Sequence, residues 1–340
     1  ATTELYTLSL HDALPISHEE GADTVAHGAT GKGNDQVRFE TTYMALDPTL
    51  TIIAPWKDAR FRAEIHSREA ALDYAKARKI PVEQSKKSIY SRDRNLWHIS
   101  HEGAELESPW NEPLPRMFVM SVPVDQAPAK AQYVTLDFVA GVPVALNGKT
   151  LDGVKLIEKL NTLGGAHAIG QADLVENRMV GMKSRGVYET PGGAILHEAH
   201  QALEGLCLDR ETLHYKQQVA LKYADLVYDG RWFSTLRESL DAFVNTTQRN
   251  VTGTVRVKLY KGKATAVGVQ SPYSLYMQDL ASFVMGDEYK PEDADGFIRL
   301  SALPLKVAGL VARKTARGVR AQAVAKPARA RQASQSRRRR

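Results

Sequence analysis

The alternation of apolar and polar positions becomes regular from Gly21 onward. Asp23 to His27 (DTVAH) is short and apolar enough to predict a buried strand. A glycine-rich turn follows, and helical spacing takes over from about Gln36 to Leu46. Leu50 to Ala54 (LTIIA) predicts a second strand, ended by Pro55 because proline cannot donate to a ladder. Ala70 to Arg78 predicts a helix that Ile80 and Pro81 break. Strand, loop, helix and strand in this order predict the closing part of a doubly wound α/β domain with a parallel sheet.

Beyond Pro81 the pattern changes to α+β. Tyr133 to Phe138 and Val142 to Leu146 predict strands around an Ala140-Gly141 turn, and Asn147-Gly148 closes the second. Leu151, Val154, Ile157 and Leu160 recur at helical spacing. Longer helices are predicted around Ala194 to Leu206 and Glu211 to Tyr228. Val255 to Tyr260 and Ala264 to Val269 alternate across Lys261-Gly262-Lys263 and predict a hairpin. No internal repeat of fixed period is present. Thr7 to Ile16 (TLSLHDALPI) stands outside this pattern. It resembles a translated sequencing adapter, which would make residues 1–17 a non-native leader. The other reading is a short amphipathic element with Leu8, Leu10, Leu14 and Ile16 as its apolar positions.

Composition narrows the classes. With 340 residues and 43% hydrophobic content the chain can build the core of two ordinary domains. No apolar run reaches the ~18 residues of a transmembrane helix, and no charged then apolar segment opens the chain as a secretory signal would. Cys207 is the sole cysteine, which excludes a disulfide framework and points to a reducing cytoplasm. The net charge of +6 is concentrated in the tail. Thr315 to Arg340 carries nine Lys or Arg residues and no acid, so the remainder is at −3. Such a tail, poor in large apolar residues, is expected to be solvated and disordered. A tether to RNA or a membrane surface is the alternative.

Three clusters carry candidate chemistry. The first is GATGKGNDQVRFE, Gly28 to Glu40, between a predicted strand and helix. Gly28, Gly31 and Gly33 let a ligand approach the backbone, and a helix start favours an anion. It is not a Walker loop, which would need glycine at Ala26 and Ser or Thr at Gly33. Thr30, Lys32, Asn34, Asp35 and Arg38 crowd the carboxyl end of the strand, where open α/β sheets bind ligands. Asp35 could instead be a helix N-cap. The second cluster, Ser91 to Glu107 (SRDRNLWHISHEGAELE), reads as a polar loop beside a ligand, or as a solvated loop with Leu96 and Ile99 beneath it.

The third cluster, Asp173 to Gly193, interleaves Glu176, Arg178, Lys183, Arg185 and Glu189 with apolar residues, which ion pairs on a helix face would explain. Glu176 and Tyr188 can share a site only if the chain between them turns back. His197-Glu198-Ala199-His200 lacks the spacing of a zinc helix and is expected to be a helix-surface pair. His167 either lines a pocket or packs. No serine-nucleophile elbow is present.

Taken in order, the clusters resemble argininosuccinate synthase from Gly21 to about Lys306. The carrying motifs are GATGKGNDQVRFE, IAPW (Ile53 to Trp56), NLWHISHEG, VENRMVGMKSRGVYETPGG, SPYSLY (Ser271 to Tyr276) and DADGF (Asp293 to Phe297). The resemblance implies a fold: the C-terminal part of a Rossmann-like nucleotide-binding domain of the N-type ATP pyrophosphatases, over 18–80. An α+β synthetase domain would follow over 81–306, then a C-terminal helix and basic tail over 307–340. It also implies an activity in arginine biosynthesis, the ATP-dependent joining of L-citrulline and L-aspartate with release of AMP and pyrophosphate.

Carried over position by position, Gly28, Ala29, Thr30, Gly31, Lys32 and Gly33 resemble ATP-binding residues. Thr30, Asn34 and Asp35 resemble aspartate ligands. Asn34, Arg38, Ser91, Ser100, Glu176 and Tyr188 resemble citrulline ligands. Mg²⁺ would accompany ATP, no protein metal site and no individual catalytic side chain are implied, and a cytoplasmic homotetramer is expected. The family's SGGLDTS pyrophosphate loop has no counterpart in the sequence, so the expectation is a truncated chain that is inactive alone. The competing reading is a non-catalytic fragment that binds RNA through its tail.

Overall fold

In the computed structural model the described residues are 14–31, 33–82, 90–281 and 290–317. Lys32, most of the Thr7–Ile16 stretch and most of the basic tail lie outside them. The chain divides into two compact units at Leu275/Tyr276.

The first unit opens with a helical turn at 14–19 whose Leu14 packs on Tyr43, while Ile16 is exposed. Strand β1 (Thr24–Ala26) pairs in parallel with β2 (Thr51–Ile53), and helix α1 (Asp35–Leu46) connects them. This is the expected βαβ grammar, since a parallel pair needs a crossover and a helix supplies it. Val25, Phe39, Leu46, Leu50 and Ile52 surround Leu14 and Tyr43 in a small core. Helices α2 (Ala59–Glu64) and α3 (Arg68–Ala77) follow.

The polar stretch after residue 90 is not a loop. It forms strands β3 (Ser91–Arg94) and β4 (Ile99–Glu102), an antiparallel hairpin. Strands β5 (Gln132–Val139), β6 (Val142–Leu146) and β7 (Lys149–Thr150) come next. They precede helix α4 (Gly153–Ala166). The third cluster, expected to pair its charges on a helix face, is also a hairpin, of β8 (Gln171–Asn177) and β9 (Lys183–Glu189). These four strands form one sheet in the order β3-β4-β9-β8. Period-2 alternation was masked because one sheet face is polar, and its other face hides the hydrogen-bonded pair His101 and Glu189.

Helices α5 (Pro191–Cys207), α6 (Arg210–Tyr228) and α7 (Thr235–Thr247) lead to the hairpin of β10 (Gly253–Tyr260) and β11 (Lys263–Gln270). A five-stranded antiparallel sheet results, ordered β11-β10-β5-β6-β7. Its three two-residue turns place Ala140-Gly141, Asn147-Gly148 and Lys261-Gly262 at positive φ, the geometry that matches strand twist. Val134, Leu136, Val255 and Val257 from this sheet meet Leu156, Leu160, Ile195 and Leu203 from α4 and α5 in the main core. Helices α3, α4, α6 and α7 are capped by the side chains of Ser67, Asp152, Asp209 and Ser234.

The second unit contains α8 (Gln278–Ala281), α9 (Glu292–Ser301) and a helical run at 303–317. Apolar side chains stand exposed along it, among them Phe297 at 73% and Leu305 at 77%.

Candidate functional site

A cavity of about 850 Å³ opens where four segments converge. They are the 28–38 turn and start of α1, the β3–β4 hairpin, the β8–β9 hairpin and the last turn of α6. Thr30, Asn34, Asp35 and Arg38 line it together with Ser91, Ser100, Glu176 and Tyr188. Every aspartate- and citrulline-assigned residue therefore borders one space. Gly28, Ala29 and Gly33 join that wall. Gly31 lies off it, its backbone facing the Trp56 carbonyl. Lys32 lies outside the described residues.

Strand pairing explains the shared face. Asp93 stands opposite Ser100, Ser91 opposite Glu102, and Ser100 opposite Tyr188. Residues two apart on a strand point the same way, so these side chains form one polar surface. On the opposite face the intervening His101, Val187 and Glu189 are buried. There His101 and Glu189 are both fully buried and joined at 2.8 Å. Glu189 also accepts the amides of Val119, Met120 and Ser121 and the Ser121 hydroxyl. Burial alone would raise this carboxyl, but the bonds from His101, Ser121 and the amides outweigh it and hold it below its ordinary range. Arg92 donates from Nε to His101 Nδ1 at 3.0 Å, which puts the ring proton on Nε2, facing Glu189.

The β8–β9 turn brings Glu176 and Tyr188 together, as a shared site required. The Tyr188 hydroxyl donates to Glu176 Oε2 at 3.1 Å. Tyr188 faces Ala172 across the ladder, so its ring must run along the sheet to reach Glu176. Gly186 permits this: a Cβ there would sit 3.0 Å from the ring and its oxygen. His98 stacks on Tyr188 with centroids 6.1 Å apart, and burial lowers its basicity.

Asp35 is not the N-cap. It is the first residue of α1, and its carboxylate takes Arg38 Nη1 at 3.0 Å. Asn34 holds the cap position without capping. Its Oδ1 accepts the Met179 amide at 3.0 Å and its Nδ2 donates to the Tyr228 hydroxyl at 2.6 Å. One N–H and one lone pair of that amide remain for a ligand. The start of α1 thus meets the cavity without a side-chain cap across it, as an anion site requires.

Five further wall residues, Asp93, His98, Glu102, Arg178 and Tyr228, carry no substrate assignment from the sequence. Four belong to the clusters already marked. Tyr228 has no local signal, because only the fold brings the end of α6 here. Burial raises the Asp93 carboxyl, and the charge of Asp35 adds to it. Burial likewise raises Glu102 despite its 2.6 Å pair with Arg178. The cavity is thus lined by acids that can meet ammonium groups, with Arg38 placed for a carboxylate.

Other candidates resolve as structure. His167 is buried at the end of α4, with Nε2 on Gln132 and Nδ1 without a partner. His197 and His200 are not a surface pair: His200 turns inward to Gln248 Oε1 at 2.9 Å and packs beside Phe138.

Two family models match the chain. "Arginosuccinate synthase N-terminal HUP domain" covers residues 7–81 and "Arginosuccinate synthase C-terminal domain" covers residues 90–308. An argininosuccinate synthase of Desulfitobacterium hafniense (strain DSM 10664 / DCB-2) is 60% identical over 302 residues, 89% of this chain and 74% of the relative. That of Moorella thermoacetica is 59% identical over 302 residues, covering 89% and 73%. That of Roseiflexus sp. (strain RS-1) is 58% identical over 296 residues, covering 87% and 72%. The α/β remainder, the α+β body and the ordered motifs converge with these matches: the chain belongs to the argininosuccinate synthase family.

Proposed function

We propose that the cavity is the amino-acid side of an ATP-dependent carbon–nitrogen ligase active site of arginine biosynthesis, binding citrulline and aspartate beside the 28–33 turn. The convergence of Asn34, Arg38, Ser91, Ser100, Glu176 and Tyr188 on one space is the observation that supports this reading. Citrulline's ureido oxygen attacks the α-phosphorus of ATP and pyrophosphate leaves. The amine of aspartate, having lost a proton, then attacks the ureido carbon, and AMP leaves with the oxygen. The chain's contribution is to hold two zwitterions in reacting order and to shield them, which accounts for much of the rate in such chemistry.

In this reading Arg38 pairs with the citrulline carboxylate while Glu176 takes its ammonium. Thr30, Asn34 and Asp35 hold aspartate, with Asn34 shared between the two substrates. Gly28 to Gly33 meet the nucleotide. The proposed Mg²⁺ accompanies the ATP phosphates. A homotetrameric, cytoplasmic enzyme completes the proposal. No described helix is long and apolar enough to cross a membrane. The RNA-tether reading gains no support from the comparisons.

Calorimetric titration of the 340-residue chain with citrulline tests the assignment. Arg38→Ala is expected to weaken binding at least tenfold, as loss of a charge-assisted bond worth about 1.5–3 kcal/mol requires. A folded variant with unchanged citrulline affinity overturns it.

A further inference from the structure

The Tyr228 hydroxyl sits between two substrate-assigned side chains. It accepts from Asn34 Nδ2 at 2.6 Å and donates to Glu176 Oε1 at 3.1 Å. The other Glu176 oxygen receives Tyr188 at 3.1 Å, so one phenol fixes each oxygen. Burial, and then the Glu176 charge, raise the Tyr228 phenol, which keeps it a proton donor at neutral pH. The same residue holds Arg38, whose Nε donates to the Tyr228 carbonyl at 2.8 Å and whose guanidinium lies 4.9 Å from the ring centroid.

The placement of this turn is exact to within a methyl group. Gly230, at φ +70°, lies so close to α1 that a Cβ would stand 2.7 Å from Arg38 Cα. Both residues are 190 or more positions from the α1 residues they touch, so the contact is made by the fold alone.

We propose that Tyr228 is a positioning residue for amino-acid recognition: its hydroxyl aims the Glu176 carboxylate at a substrate ammonium and locks the Asn34 amide. The inference rests on the reading of Glu176 and Asn34 given above. Without the hydroxyl, Glu176 keeps one phenol and can rotate, and Asn34 loses the partner of its Nδ2. The ring and the main-chain carbonyl are untouched, so Arg38 stays where it is. The consequence is selective, falling on the ammonium end of the ligand and sparing the carboxylate end.

Titration of wild type, Tyr228→Phe, Glu176→Gln and the double variant with two ligands tests this. One ligand is L-citrulline, and the other is 5-ureidopentanoate, which lacks the α-amino group. Tyr228→Phe is expected to weaken citrulline on the order of tenfold and the des-amino ligand less than twofold. In the Glu176→Gln background the same change is expected to alter citrulline affinity less than twofold. Equal losses for both ligands, or full additivity in the double variant, would show a packing role and overturn the proposal. Wild-type affinity in Tyr228→Phe overturns it while leaving the functional reading intact. A wild-type chain that binds neither ligand overturns both.

Discussion

Gly186 and Tyr188 show how one missing methyl group decides a site. The phenol reaches Glu176 only because it can lie flat over residue 186, where a Cβ would approach the ring at 3.0 Å. The backbone there is ordinary strand, so alanine fits the chain and displaces the ring. Gly186→Ala is expected to lower citrulline affinity about tenfold, the worth of a bond to a charged group, while the unfolding temperature moves little. Calorimetry and thermal melting read the two effects separately. A larger loss of stability than of affinity would mean that residue 186 serves the sheet. The flanking acids set the character of the pocket: burial, with Asp35 at Asp93 and with Glu176 at Glu102, raises both carboxyls.

At the scale of elements, the four-stranded sheet carries the polar surface on one side and a buried anchor on the other. Glu189 ties β9 to β4 through His101 and to the 119–121 segment through three amides and the Ser121 hydroxyl. Its lowered pKa fixes the sign of its pH effect. The stability it supplies is present above the ordinary glutamate pKa and is lost as pH falls through the lower folded value. Glu189→Gln puts an NH₂ group among donors, and the expected cost at neutral pH is about 3 kcal/mol. Urea midpoints between pH 7 and 3 check this: wild type weakens toward acid, and the variant should start lower and weaken less. Parallel pH dependence in the two proteins would contradict the assignment. Because β4 and β9 also carry Ser100 and Tyr188, slackening this anchor should loosen the pocket as well.

At the scale of the whole molecule, the two compact units differ in kind. The first encloses the main core and the cavity. The second exposes a row of apolar side chains, including Phe297, Leu300 and Leu305. Apolar surface of that extent commonly marks an association site, and the proposed homotetramer would cover it. Phe297→Glu together with Leu305→Glu is expected to lower the mass measured by light scattering below that of wild type. An unchanged mass would place the subunit contacts elsewhere.

Much of this was legible in the chain. The βαβ order of 23–54, the antiparallel strands from 133 onward and the X-Gly turns follow from local rules of apolar spacing and backbone conformation, which act within a few residues. The long ordered motifs named the family. Helix α7 also carried a readable signal, with Ser234 as its cap and Leu236, Leu240 and Phe243 on one face, although the pattern reading did not include it. The β3–β4 and β8–β9 hairpins were harder, because the face toward the cavity is polar and the opposite face buries the hydrogen-bonded His101–Glu189 pair beside Ile99 and Val187. Tyr228 and Gly230 could not be found at all. Their meaning lies in contacts with Asn34, Glu176 and Arg38 across 52 to 194 positions. The sequence by itself determined the elements and the chemical groups, because these depend on neighbours along the chain. The tertiary structure decided which groups share a hydrogen bond, because that depends on neighbours in space.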